Sequence, residues 1–362
     1  MNKKPQAFTA QSPARPFLAG VIEGFYGRTW PHATRLAYAE FLQLAGLNTY
    51  LYCPKSDATL RREWTSRWSS AQWMQMLELA AAYQQRDMLW GVGLSPFELY
   101  RYYGARERAQ LRDKITYLGE LEAPLLAVLF DDMPGELDSL ASRQAEIVSD
   151  VQHWLPNVRL LVCPTYYSYD PILERFFGVM PTGYWGDLGR LLPAEAEVFW
   201  TGNTVCSPSI ADADLAGITA ELGRAVTLWD NYPVNDSKSR CDYLYTKPLS
   251  ERSGAVQPLL HGHLCNPMNQ GVLSLAALRG LSSLHGNGGL NDDALGQILG
   301  EEFWRVLSAD AETFQIVGRG EIDIQARAGL TDKYRQFDGV AASELLGWLE
   351  GDYAFDPACL TD

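Results

Sequence analysis

The sequence holds only five histidines, and its six cysteines contain no CxxC pair. That leaves little from which to build a zinc or other thiolate–imidazole centre. Cys53, Cys163, Cys206, Cys241, Cys265 and Cys359 follow no regular spacing. A disulfide scaffold is therefore not indicated, and free thiols in a reducing compartment are expected. Basic residues are the scarcer sign, with 30 Lys and Arg against 44 Asp and Glu, for a formal net charge of −14. This balance argues against nucleic acid or an anionic membrane surface as the main partner. A polyanionic polysaccharide would also be repelled at long range unless a local basic patch met it. No apolar run of about 18 residues occurs, so no membrane-spanning helix is expected. Residues 1–17 carry two lysines without the apolar run of a secretory signal. A cytoplasmic location fits these absences. No GxGxxG and no P-loop marks a nucleotide site.

What is present is alternation. Short apolar runs at 18–23, 48–53, 89–94, 125–130, 159–164, 197–201, 225–229 and 259–265 read as strands. Amphipathic stretches at 33–45, 71–86, 106–121, 142–155, 209–222 and 271–284 read as helices, with a shorter one near 171–180. Strands that are apolar throughout belong to a parallel sheet covered on both faces. A count of eight, with no nucleotide motif, favours closure into a (β/α)8 TIM barrel over an open doubly wound sheet. Residues 1–16 read as a leader and 17–290 as the barrel. From Asn291, Asp292 and Asp293, which resemble a helix start, the pattern is helical without strands, so 291–362 reads as a helical appendage. Polar residues gather where strands finish: Glu23, Lys55, Asp131 and Asp132, Tyr166 and Tyr167, Asp230 and Asn231, and Asn266. Barrel strand ends converge on one mouth, where active sites sit.

The run LLAVLFDDM at 125–133 is the chemical centre of this pattern. Two adjacent aspartates oppose each other's ionisation, which favours one carboxylate and one acid near neutral pH. Neighbouring Cα atoms are about 3.8 Å apart, so two consecutive side chains do not easily reach opposite faces of one sugar ring. The two-carboxylate glycosidase plan, with separate nucleophile and acid, is then awkward. Substrate-assisted hydrolysis suits the pair better: the substrate's own 2-acetamido oxygen attacks the anomeric carbon and forms an oxazoline. One aspartate polarises the acetamido N–H and the other protonates the leaving oxygen. Taken alone, a strand-end pair of aspartates also serves as a helix cap or a cation site.

The surrounding segments narrow that choice. GVIEGFYGRTW at 20–30, NTYLYCPKSD at 48–57, LFDDM at 129–133, CPTYY at 163–167, FWTG at 199–202, WDNYPVND at 229–236 and NPMN at 266–269 occur in one order along the chain. Together they resemble glycoside hydrolase family 84, the O-GlcNAcases and related hyaluronidase-like β-N-acetylglucosaminidases. The resemblance implies a (β/α)8 barrel and a retaining exo-β-N-acetylglucosaminidase without metal or cofactor, acting on a β-linked N-acetylglucosamine glycoside. It makes Asp131 the residue that orients the acetamido group and Asp132 the general acid/base. Gly24 and Lys55 then meet the sugar hydroxyls, Tyr167 positions the acetamido oxygen, and Trp229 lines the acetamido pocket. Asn231, Asp236 and Asn266 hold the acetamido group and the 4- and 6-hydroxyls. The short run Pro134–Asp138, the extra Tyr166, and Asn203 and Thr204 after FWTG depart from the family pattern and bear on the aglycone.

Individually, each position has a plainer use: a tight turn at Gly24, a solvated Lys55, a core Trp229, turn residues around Pro233. Three other readings of the whole remain open. His261 and His263, two apart on a strand, point the same way and could ligate a metal in a barrel hydrolase. A non-catalytic GlcNAc-binding protein would keep the pocket without the chemistry, although Asp132 is present. The same chemistry could also act on hyaluronan, chitin or peptidoglycan fragments.

Overall fold

A computed structural model of the chain describes residues 15–252 and 259–361. Eight strands form a closed parallel barrel in sequence order: β1 (Leu18–Glu23), β2 (Thr49–Tyr52), β3 (Leu89–Leu94), β4 (Leu125–Leu129), β5 (Arg159–Cys163), β6 (Glu197–Trp200), β7 (Val226–Asp230) and β8 (Leu260–Cys265). β8 pairs with β1, Leu18 opposite Gly262 and Val21 opposite Cys265, which removes any free edge. The strands are buried along nearly their whole length because side chains fill the barrel on one face and meet helices on the other. The expected strands are therefore present, with ends shifted by about one residue.

The outer layer is α1 (His32–Leu44), α2 (Ser70–Gln84), α3 (Ala105–Gly119), α4 (Leu140–Trp154), α5 (Ile172–Phe177), α6 (Tyr184–Leu191), α7 (Asp212–Leu222) and α8 (Leu275–His285). A capping box between Ser69 and Gln72 fixes the start of α2. The segment after β5, read as one short helix, is two helices separated at 178–183. Pro181 lies in that gap and has no amide hydrogen to continue a helix.

No α-helix lies between β7 and β8 among the described residues, and Val234, Asp236, Ser237 and Arg240 of this stretch reach the barrel mouth. Arg252, in the same stretch, donates to both oxygens of Asp230, at 2.7 and 2.8 Å. His263 meets the same carboxylate at 2.9 Å and His285 at 3.0 Å. Burial would push the Asp230 carboxyl up, but Arg252 and His263 outweigh it and hold it at about 2. Asp230 thus faces away from the mouth. Glu23 does as well, bonded to Arg35 at 2.6 and 2.8 Å and to Tyr50. Tyr166 turns outward too, donating to the Gly178 carbonyl at 2.6 Å. These three strand-end polar residues do not join the mouth, because alternation along a strand sends neighbours to opposite faces.

After the barrel come α9 (Asp292–Leu299), α10 (Glu301–Ala309), α11 (Ile324–Tyr334) and α12 (Val340–Glu350). The Asn291 side chain caps α9 by accepting the Ala294 amide at 3.0 Å. α12 docks on the barrel through Glu344, which accepts the Val272 and Leu273 amides at 3.1 and 3.0 Å. Beyond it an extended segment runs back to the mouth. No helix among the described residues is long and apolar enough to cross a membrane.

Candidate active site

Asp131 and Asp132 follow β4 after Phe130, and backbone geometry brings both to one cavity. Asp132 has a φ of +54°, a left-handed conformation that aspartate tolerates better than most residues. This turn breaks the alternation that would send the second carboxylate to the opposite face. The cavity is lined by both aspartates together with Gly24, Lys55, Tyr167, Trp229, Asn231, Asp236 and Asn266. All nine residues that the family resemblance assigned to the site therefore line one pocket.

Lys55 and Asp131 form a buried ion pair through Nζ and Oδ2. Burial would push the Lys55 ammonium down, but the Asp131 carboxylate outweighs it and holds the group above its ordinary value. The other oxygen of Asp131, Oδ1, is buried and has no hydrogen-bond partner among the described residues. An unmatched carboxylate oxygen of this kind is costly unless a donor arrives.

Asp132 is held by two phenols. Tyr26 donates to its Oδ2 at 2.7 Å and Tyr167 to its Oδ1 at 3.0 Å. Burial, followed by the Asp132 charge, pushes both phenols well up, so both remain protonated donors. Arg61 completes the support, bonding to the Tyr26 hydroxyl at 3.3 Å, the Asp132 carbonyl at 3.2 Å and Ser95 at 2.9 Å.

The opposite wall is a hydrogen-bonded belt. Trp229 Nε1 and Asn266 Nδ2 both donate to Asn231 Oδ1 at 3.0 Å, and Asn231 Nδ2 donates to the Val205 carbonyl at 2.8 Å. Asn266 Oδ1 accepts the Gly24 amide at 3.2 Å. Only glycine fits at position 24, since a Cβ there would lie 2.3 Å from the Trp229 ring. Asp236 accepts the Tyr26 amide at 2.7 Å, and burial pushes its carboxyl up to about 6.

The histidine pair does not assemble a metal centre. His263 is buried and engaged by Asp230 and His285, whereas His261 is exposed. Asp230, His263 and Cys265 do bring three candidate donor atoms within 4.8 Å. Arg252, however, occupies both Asp230 oxygens, and a second cation there would face that guanidinium.

Several pocket residues escaped the sequence reading. Tyr26 lies inside the quoted GFYG stretch, but nothing in the sequence separated it from Phe25 or Trp30. Cys163 and Thr201 lie within the CPTYY and FWTG segments and also line the cavity. Val205, Cys206, Ser237, Arg240, Cys359 and Thr361 complete much of its wall, and no motif pointed to them.

A family model described as beta-N-acetylglucosaminidase matches residues 19–294. The chain belongs to this family. Among the β-N-acetylglucosaminidase relatives, the rat and mouse proteins named protein O-GlcNAcase are 30% identical over 263 residues, which is 70% of this chain. The chain covers only 28% of the length of those relatives. A solved O-GlcNAc hydrolase mutant from Thermobaculum terrenum superposes with a TM-score of 0.78 at 27% identity, covering 93% of this chain and 81% of that one. The barrel fold and membership of the β-N-acetylglucosaminidase family thus rest on both sequence and structure.

Proposed function

We propose that the protein is a retaining exo-β-N-acetylglucosaminidase that removes terminal β-linked GlcNAc through an oxazoline. The observation that carries this reading is that Asp131, which lines the same cavity as Asp132, keeps a buried Oδ1 without a hydrogen-bond partner among the described residues. The substrate's acetamido N–H donates to that oxygen, which raises the electron density on the acetamido carbonyl. The carbonyl oxygen attacks the anomeric carbon as the glycosidic bond breaks, and Asp132 gives its proton to the departing oxygen. Asp132, now a carboxylate supported by Tyr26 and Tyr167, then takes a proton from water. That water opens the oxazoline at the anomeric carbon, and two inversions give net retention.

The other pocket residues take binding roles in this reading. Lys55 and Gly24 meet sugar hydroxyls, Trp229 walls the acetamido methyl, and Asn231, Asp236 and Asn266 secure the acetamido group and the distal hydroxyls. No step calls on a metal or cofactor. The substrate is thus a β-linked GlcNAc glycoside, the sugar common to the relatives' names. Cys53, Cys163, Cys241 and Cys265 are buried free thiols, which fits a reducing compartment.

The test is hydrolysis of a fluorogenic N-acetyl-β-D-glucosaminide beside the matching β-D-glucoside. Cleavage of the acetamido sugar alone supports the reading. Cleavage of the glucoside refutes acetamido participation, and cleavage of neither by folded protein favours a sugar-binding role.

A further inference from the structure

The chain's own C-terminal segment forms part of the catalytic cavity. Cys359 and Thr361 line it beside Asp132 and Tyr167. Thr361 is buried, and its Oγ1 lies 3.4 Å from the Tyr167 hydroxyl, which donates to Asp132 Oδ1 at 3.0 Å. Thr361 therefore reaches the pocket on the side of the acid, through Tyr167, whereas Lys55 and the unpartnered oxygen belong to Asp131. A general acid must face the leaving oxygen, so this is the side on which the aglycone departs.

The segment is anchored at its root beside the β1 loop and meets Tyr167 at Thr361. α12 ends at Gly351 in a left-handed conformation with a φ of +91°, which turns the chain back toward the barrel. The root is anchored where Arg28, from the β1 loop, stacks over the Tyr353 ring at 4.8 Å and pairs with Asp352 at 3.8 Å. A single turn at Asp356 follows, with the Ala358 amide on its side chain and the Cys359 amide on its carbonyl, both at 2.9 Å. Leu360 is exposed. Between these points the backbone forms neither helix nor strand.

We infer that residues 356–361 are a specificity-determining wall that sets the size of the aglycone reaching Asp132. This deepens the proposed function and rests on it. A small aglycone leaves the wall in place. A glycopeptide, which extends on both sides of its glycosylated residue, must displace it, and that cost enters kcat/KM for the large substrate alone.

The experiment compares the intact chain with a variant ending at Phe355 and with Tyr353→Ala, which loosens the root without shortening the chain. The substrates are 4-methylumbelliferyl N-acetyl-β-D-glucosaminide and a ten-residue peptide carrying β-O-GlcNAc on serine. The ratio of kcat/KM, peptide over aryl glycoside, is expected to rise about tenfold on truncation and less in Tyr353→Ala. Melting curves establish folding, and Tyr353→Ala alone decides if the shortened chain does not fold. A ratio that stays within about twofold, or an equal fall on both substrates, overturns the inference; the second result would make the segment a support for Tyr167. Failure of the intact chain to cleave either substrate would instead sink the glycosidase reading, and this inference with it.

Discussion

Tyr26 donates its hydroxyl to Oδ2 of Asp132 at 2.7 Å, joining the loop after β1 to the end of β4. The bond is strongest when Asp132 is a carboxylate, the state it enters as the leaving group departs. Tyr26→Phe is expected to lower kcat/KM about tenfold on alkyl glycosides, which need the proton, and less on activated aryl glycosides. Equal losses on both substrates, with an unchanged melting temperature, would show that Tyr26 shapes the pocket without serving the acid.

The two aspartates should separate by leaving group. Asp132→Asn is expected to slow alkyl glycosides by roughly a hundredfold or more while sparing much of the turnover of activated aryl glycosides. Asp131→Asn should damage both, since it impairs oxazoline formation itself. Retention of aryl glycoside turnover by Asp131→Asn would remove its assigned part.

The Lys55–Asp131 pair is buried, so breaking it leaves one charge uncompensated. Lys55→Met is expected to destabilise the fold by about 3 kcal/mol. Adding Asp131→Asn to that variant should restore most of the loss, because the orphaned carboxylate is then gone. Urea titrations of the two single variants and the double variant measure the coupling. Additive losses would mean that the pair does not interact as the structure shows.

Glu344 gives a pH signature in stability. Burial pushes its carboxyl up to about 7 despite the backbone amides that favour its charged form. A raised carboxyl means that the folded state binds the proton more tightly than the unfolded chain does. This contribution is full below the ordinary glutamate value and is lost as pH rises toward about 7. Relative to wild type, Glu344→Gln should therefore gain stability across that window, by roughly 3 kcal/mol at most. Melting temperatures of both proteins from pH 4 to 8 would show the difference, and parallel profiles would contradict it.

Chelation should leave hydrolysis unchanged. Arg252 holds both oxygens of Asp230, so the Asp230, His263 and Cys265 cluster is already neutralised from within. Activity lost in EDTA and restored by zinc would reverse that assignment.

Much of this site was legible in the chain because parallel strands impose local rules. An apolar run buried on both faces, ending in polar residues, announces a strand that delivers chemistry at its C-terminal end. LLAVLFDDM obeys that rule, as do the segments bearing Lys55 and Asn266. The rule failed where direction mattered. Glu23, Tyr166 and Asp230 also stand at strand ends, yet Arg35, Gly178 and Arg252 draw them to the outer face.

The sequence by itself determined the number and order of the strands, the helical character of the tail and the position of the aspartate pair. These follow from side-chain periodicity and short-range backbone preference, which act within a few residues. Only the tertiary structure decided that both aspartates enter one cavity, that Tyr26 and Arg61 support the acid, and that Thr361 reaches Tyr167. The first depends on a left-handed turn at Asp132. The others join residues far apart in the chain, whose contact exists only once barrel closure and the packing of α12 bring them together.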